Sequence, residues 1–198
     1  MLERIKAHPL FAQVTSFIHQ EALLSGIEHI DAALSGGADS VCLLAVLGAM
    51  EKSFTLRAHH IRHGLRSDDG HDAEIARKVA ETLGIAFIQT DLSWPELPTS
   101  NVEEAARERR YEAFFMALNG HSNAGLALAH HGDENLETAV WRLGRGCGLE
   151  GFGMDARKFR NGIALIRPLL TVSKQQIYAF LRDIGLEWAE DPTNEIDK

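Results

Sequence analysis

Short apolar runs alternate with stretches of helical periodicity along this chain. That alternation is the mark of βαβ units and a parallel sheet. A first helix is expected over roughly Leu2 to Leu24. His29-Ile30-Asp31-Ala32-Ala33-Leu34 ends in Gly-Gly and reads as strand one, with a helix following through Val41 to Leu47. Strand two is expected over Phe54 to Ile61. Asp68-Asp69 caps a helix to Leu83, stopped by Gly84. Strand three falls on Ala86 to Thr90, and the polar stretch Ser93 to Ser100, with Pro95 and Pro98, reads as a loop. Asn101 caps a helix to about Leu118. Strand four is expected over Leu126 to His131, with a helix from near Asp133. Ile163 to Ile166 is a fifth strand, and Ser173 caps a last helix to Ile184. The fold class is α/β, with a parallel sheet of about five strands.

The 198 residues suffice for one well-cored domain. At 45% apolar and 24% charged residues, the composition is that of a globular chain. No apolar run approaches the ~20 residues needed to span a bilayer. The N-terminus, Met1 to Lys6, is followed by no apolar signal core. Two cysteines, Cys42 and Cys147, make neither a disulfide framework nor a CxxC site. Together these features point to the reducing cytoplasm. The net charge of −8 argues against a wholesale electrostatic grip on nucleic acid. It leaves room for two local basic patches, Arg107, Arg109 and Arg110, and then Arg157, Lys158 and Arg160.

Ser35-Gly36-Gly37-Ala38-Asp39-Ser40 lies between a strand and a helix. Two glycines let the backbone turn sharply and approach an anion closely. The next helix adds unpaired N–H groups and the positive end of its dipole. Ser35 and Ser40 offer hydroxyls. Asp39 repels phosphate unless it holds Mg²⁺ or caps the helix. The loop therefore suits a polyphosphate with a metal; the alternative is an ordinary Gly-rich βα turn with an Asp cap. No lysine follows the glycines, so this is not the loop that cleaves a terminal phosphate.

The hexapeptide resembles the SGGxDS signature of the PP-loop ATPases. That resemblance implies a three-layer, Rossmann-like fold of the adenine nucleotide alpha hydrolase type, and cleavage of ATP between its α and β phosphates. Further segments resemble, in order and spacing, the N-terminal domain of tRNA(Ile)-lysidine synthetases. His60-Ile61-Arg62-His63-Gly64-Leu65-Arg66 is similar to H-[IV]-[ND]-H-G-L-R. Glu103 to Tyr111 is similar to E-x-x-A-R-x-x-R-Y. Ala129 to Thr138 is similar to A-H-H-x-x-D-x-x-E-T. Arg145-Gly146, Gly148-Leu149, Arg167-Pro168-Leu169-Leu170 and Asp191-Pro192-Thr193-Asn194 continue the series. The likeness runs from about residue 29 to the end. Each motif alone is weak to moderate; the ordered set is specific.

The family's reaction has two steps. ATP activates C2 of the wobble cytidine of an isoleucine tRNA as an adenylate, and lysine then attacks that carbon and displaces AMP. The resemblance implies ATP and Mg²⁺ as cofactors, and tRNA(Ile) and free L-lysine as partners. Ser35, Gly36, Gly37, Ala38, Asp39, Ser40, His60 and Arg66 are expected at ATP, with Asp39 as the Mg²⁺ ligand. Arg107, Arg110, His131 and Arg145 are expected at the other substrates. Asp39, Arg107, Asp133, Glu134 and Glu137 are the catalytic candidates, because lysine must lose a proton before it can attack. Glu134 and Glu137 are three apart and can share a helix face.

Two positions depart from the pattern. Glu134 stands where the family shows Asp, with Asp133 just before it, and Arg62 stands where it shows Asn or Asp. Family members continue beyond this length, so the chain is expected to be the N-terminal part of a longer protein. It divides into an N-terminal helix (1–25), a nucleotide-binding core (29–170) and a terminal helix leading to a linker (171–198). The sequence leaves room for a homodimer.

Several features read as bland. Gly146-Cys147-Gly148-Leu149-Glu150-Gly151 spells GxGxxG, but after a helix, so a loop near the substrate is expected instead of a dinucleotide fingerprint. His59, His60, His63, His130 and His131 form no obvious four-ligand set. Cys42, Trp141 and Trp188 read as core residues. Two other functions stay in view: a tRNA-thiolating PP-loop enzyme, disfavoured by the missing CxxC, and a non-catalytic nucleotide-binding module.

Overall fold

Pro9 sets the first departure from the expected pattern. The residue before a proline is driven out of the helical region, and His8 lies extended at φ −78°, ψ 137°. The long first helix is therefore two, α1 (Leu2–Ala7) and α2 (Pro9–Gln20). Proline's missing N–H costs nothing at a helix start, and the His8 ring accepts from the Leu10 N–H at 3.1 Å.

The computed structural model describes residues 1–51, 53–62, 64, 69–94, 101–145 and 153–190. Strand β1 (His29–Ala33) is followed by α3 (Ala38–Ala49), β2 (Thr55–Arg62), α4 (Asp69–Thr82) and β3 (Ala86–Asp91). Then come α5 (Val102–Leu118), β4 (Ala124–Ala127), α6 (Gly132–Gly144), β5 (Arg157–Arg160), β6 (Ile163–Ile166) and α7 (Lys174–Ile184). The sheet has six strands in the order β3-β2-β1-β4-β6-β5. All neighbours are parallel except β5 and β6, which form an antiparallel pair.

The expected count of five omits β5. Arg157-Lys158-Phe159-Arg160 has no apolar alternation because it is a polar edge strand, one of the usual ways an exposed edge is protected. The second basic patch is consequently dispersed. Arg157 donates to the carbonyls of Ala22 and Ser25 at 2.8 Å each, and Arg160 pairs with Glu108 at 2.7 Å. Strand four is shorter than expected, because the chain leaves the sheet after Ala127.

Residues alternate between two cores, as strand geometry requires. Ile30, Ala32, Leu56, Ala58, Ala127, Ala164 and Ile166 face a core shared with α1, α2, α3, α4 and α7. Leu126, Ile163 and Leu165 face a second core with Tyr111, Phe114 and Leu118 of α5. This makes three layers, the arrangement expected when a mostly parallel sheet must be covered on both sides. Helix α3 lies deepest, with Val41 to Leu47 all buried. Among the described residues, no helix is long and apolar enough to cross a membrane.

Candidate functional site

Strand order reverses between β1 and β4, and open parallel sheets bind ligands beyond the strand ends at such a point. A cleft of about 380 Å³ opens there. Its lining includes Ser35, Asp39 and Ser40 after β1, His59, His60 and Arg62 at the end of β2, and His130 and Glu134 after β4. Asp72 of α4 and Arg107, Arg110 and Tyr111 of α5 complete it.

The Ser35–Ser40 loop is held by its own side chains. Ser40 Oγ donates to the Gly37 carbonyl at 2.9 Å and accepts from the Ser35 N–H at 3.2 Å. Ser35 Oγ accepts from the Gly37 N–H at 3.3 Å and lies 3.1 Å from Ser40 Oγ. The hydroxyls expected to serve a phosphate thus first shape the turn. Gly36 has φ +99°, and a Cβ on it would stand 2.8 Å from the Asp72 carbonyl oxygen. Its carbonyl accepts from the Ala189 N–H at 2.9 Å, so the far end of the chain backs the loop.

Asp39 sits in the first turn of α3. Both of its oxygens accept from Lys174 Nζ, at 2.8 and 2.6 Å, and His131 Nε2 lies 4.0 Å away. Lys174 is not among the residues expected at the site. Its only local signal is its place directly after the Ser173 cap; the partner lies 135 residues earlier. The Lys174 backbone N–H donates to Asp133 Oδ2 at 2.7 Å, joining α7 to the first turn of α6. His131 Nδ1 is buried with no hydrogen-bond partner among the described residues, 3.7 Å from that same oxygen.

Glu134 Oε2 accepts from the His131 N–H at 3.0 Å and reaches the cleft. Asp133 is turned to the α7 start, and Glu137 is solvent-exposed and outside the cleft lining. Arg145 lies outside it too, with its guanidinium 3.8 Å over the Trp141 ring. Trp141, expected in the core, is 58% exposed, because α6 buries no residue fully. Trp188 packs against the core as expected, and Cys42 is fully buried there, which pushes its thiol up. Arg66, His63 and the 146–151 glycine run lie outside the described residues.

The two β2 histidines are engaged. His60 Nδ1 donates to the Leu34 carbonyl at 2.8 Å. His59 Nδ1 donates to Asp31 at 3.0 Å, and its Nε2 meets Thr90 Oγ1 at 2.9 Å. Asp31 is fully buried and also takes two bonds from Arg57, at 2.7 and 3.1 Å. Burial works to raise the Asp31 carboxyl, but the bonds from His59 and Arg57 outweigh it and hold the group below its ordinary range. His130 accepts from Arg167 Nε at 3.3 Å, which leaves its proton on Nε2. Burial, with Arg167, Arg107 and Arg110 close by, lowers His130 to about 4. The cleft therefore carries a neutral imidazole among cations. Among the described residues no cluster of three or more His, Cys, Asp or Glu side chains is placed to hold a metal.

The family model described as a PP-loop domain matches residues 8–198. The chain is 36% identical over 178 residues to a tRNA(Ile)-lysidine synthase of Pseudomonas fluorescens, covering 86% of this chain and 38% of that protein. It is 32% identical over 197 residues to a tRNA(Ile)-lysidine synthase of Dehalococcoides mccartyi, covering 93% of this chain and 42% of that one. It thus spans about two fifths of the length of these curated relatives. Among solved structures, the U34-tRNA thiolase NcsA of Methanococcus maripaludis aligns with a TM-score of 0.74 at 17% identity. That alignment covers 91% of this chain and 66% of NcsA, and it speaks to the fold alone.

Proposed function

The chain belongs to the PP-loop family, and on that premise we propose that it is the ATP-using domain of a tRNA(Ile)-lysidine synthetase. The observation that carries the reading is one shared cleft, in which Asp39 and the glycine loop, Arg107 and Arg110, and Glu134 all meet. The relatives named above, at 32% and 36% identity, support the same reaction.

ATP lies with its phosphates against the Ser35–Ser40 turn and the start of α3, where free N–H groups favour an anion. His60 borders the nucleotide, and the family resemblance assigns Arg66 to it as well. Arg107 and Arg110 grip the tRNA cytidine or its flanking phosphate, and His131 and Arg145 border the tRNA side. Glu134 accepts the proton that lysine sheds before attack at C2; Asp133 shares its helix start, and Glu137 stands one turn further along α6. The donor set suits Mg²⁺: Asp39 offers one carboxylate at the loop mouth, and this ion is commonly held by one or two carboxylates plus substrate phosphates. Mg²⁺ held by Asp39 would neutralise the charge of the departing pyrophosphate.

A thiolating reaction of the kind named for NcsA, which is described with its 4Fe-4S cluster, fits less well. The chain has two cysteines, and Cys42 is sealed in the core. The test supplies the complete gene product with ATP, Mg²⁺, tRNA(Ile) and labelled lysine. Pyrophosphate release that requires tRNA, with label entering the tRNA, is the expected result. Release without label would indicate a different PP-loop reaction. ATP binding without release would leave a nucleotide-binding module.

A further inference from the structure

The glycine loop has no lysine of its own, its two hydroxyls are spent on each other and on the backbone, and its one charged side chain is an acid. A polyphosphate entering such a loop meets Asp39 first. The only cation bonded to Asp39 among the described residues is the ammonium of Lys174, from the start of α7.

Three features separate this pair from an ordinary structural salt bridge. Its acid lines the cleft, and the Lys174 and Asp39 side chains are 31% and 28% exposed, so water can replace either partner cheaply. Next, the lysine backbone is fixed independently of the Asp39 pair. The Ser173–Gln176 capping box and the bond to Asp133 pin the helix start, whereas the flexible stem only skirts the Tyr178 ring, with Nζ 5.2 Å from its centroid. Finally, the ammonium occupies both oxygens of Asp39, the side chain read above as the Mg²⁺ ligand, so the two cations compete for one carboxylate.

We propose that Lys174 is the polyphosphate-binding cation of this site, held on Asp39 until nucleotide and metal arrive and then transferred to the β- and γ-phosphates. It supplies from the opposite end of the chain the charge that the loop lacks. The exchange keeps Asp39 neutralised throughout, by the ammonium before binding and by the metal afterwards. This inference rests on the ATP-using reading given above.

Calorimetric titration of the full chain tests it. Wild type, Lys174→Met and Lys174→Arg are titrated with ATP, pyrophosphate and AMP at saturating Mg²⁺. One lost charge-assisted contact predicts that Lys174→Met weakens ATP and pyrophosphate by about tenfold or more. AMP, which has neither phosphate, shifts by less than about twofold, since no contact to it is removed. Lys174→Arg restores most of the loss. Without nucleotide, Mn²⁺ binds Lys174→Met more tightly than wild type, because the competing ammonium is gone. Unchanged ATP affinity in Lys174→Met, or equal losses for ATP and AMP, overturns the inference while leaving the ATP reading intact. Failure of the wild type to bind ATP overturns both. Should Lys174→Met not fold, Lys174→Gln takes its place under the same criteria.

Discussion

The carbonyl oxygen of Asp72, on α4, closes over Gly36 so tightly that a Cβ there would lie 2.8 Å from it. The glycine also holds φ +99°, a conformation that side-chain-bearing residues rarely adopt. Two independent penalties therefore fall on Gly36→Ala. Backbone strain of this kind costs about 1–3 kcal/mol, and any relief must displace α4 from the cleft wall. We expect chemical denaturation to report a loss in that range, and ATP titration to report weaker binding. Unchanged stability and affinity would mean that the turn does not need this geometry.

Asp31 anchors Arg57 and His59 at the cleft, with one oxygen taking Arg57 Nε and the other shared by Arg57 and His59. Breaking a buried pair by removing one partner costs about 3–5 kcal/mol. Arg57 is 24% exposed, so Asp31→Ala should fall at the lower end of that range, measured by urea unfolding. Its carboxyl is held below the ordinary range, so this contribution is present at neutral pH and disappears as acid protonates the folded group.

His130 sets a separate pH window. Its folded-state value is about 4, against 6.5 for the ordinary group. Between those two values the unfolded chain binds the extra proton, so stability falls as pH drops from 6.5 toward 4 and is flat above. A His130→Gln variant should lose the corresponding part of that slope, at most about 1.4 kcal/mol per pH unit. Urea midpoints collected from pH 7 to pH 4.5 decide this. Parallel profiles for variant and wild type would show that His130 is not held neutral by its neighbours.

The two adjacent acids at the start of α6 have different surroundings. Glu134 faces the cleft, whereas Asp133 is committed to the Lys174 N–H. General base catalysis contributes roughly 10²–10⁴-fold. Glu134→Gln should therefore lower the rate of lysine transfer by about 10²-fold or more. Asp133→Asn, whose amide oxygen can still accept from Lys174, should cost less than about tenfold, since it loses no proton acceptor in the cleft. Single-turnover transfer assays on the complete gene product separate the two. The reverse ranking would move the base to Asp133.

What could be read from the sequence was what is local. A strand running into Gly-Gly and a helix start announces a tight turn because turn chemistry acts over a few residues, and the Ser35–Ser40 loop lies between β1 and α3 at the cleft, as expected. The Ser173 cap was legible for the same reason. The break at Pro9 was present in the sequence, but helical periodicity on both sides masked it. Strand β5 carries no apolar pattern because neither of its faces is sealed in a core. Lys174 was invisible for a deeper reason: its meaning comes from an acid 135 residues away, a relation no local pattern encodes. Glu137 lies three residues after Glu134, yet only Glu134 reaches the cleft, while Glu137 is exposed to solvent.

The tie between Gly36 and Ala189 has a consequence for how the protein is made. The glycine turn leaves the ribosome well before the backbone that bridges to it at Ala189 and the Lys174 ammonium that pairs with Asp39. At about 5–20 residues per second, translation separates the two by on the order of ten seconds. Through that interval the nascent chain carries the acidic turn without its backing from Ala189, and a chain stalled before residue 174 contains the whole hexapeptide without the ammonium that pairs with Asp39. The hexapeptide is thus complete by residue 40, whereas the backbone that braces it at Ala189 follows only after α7 has been made.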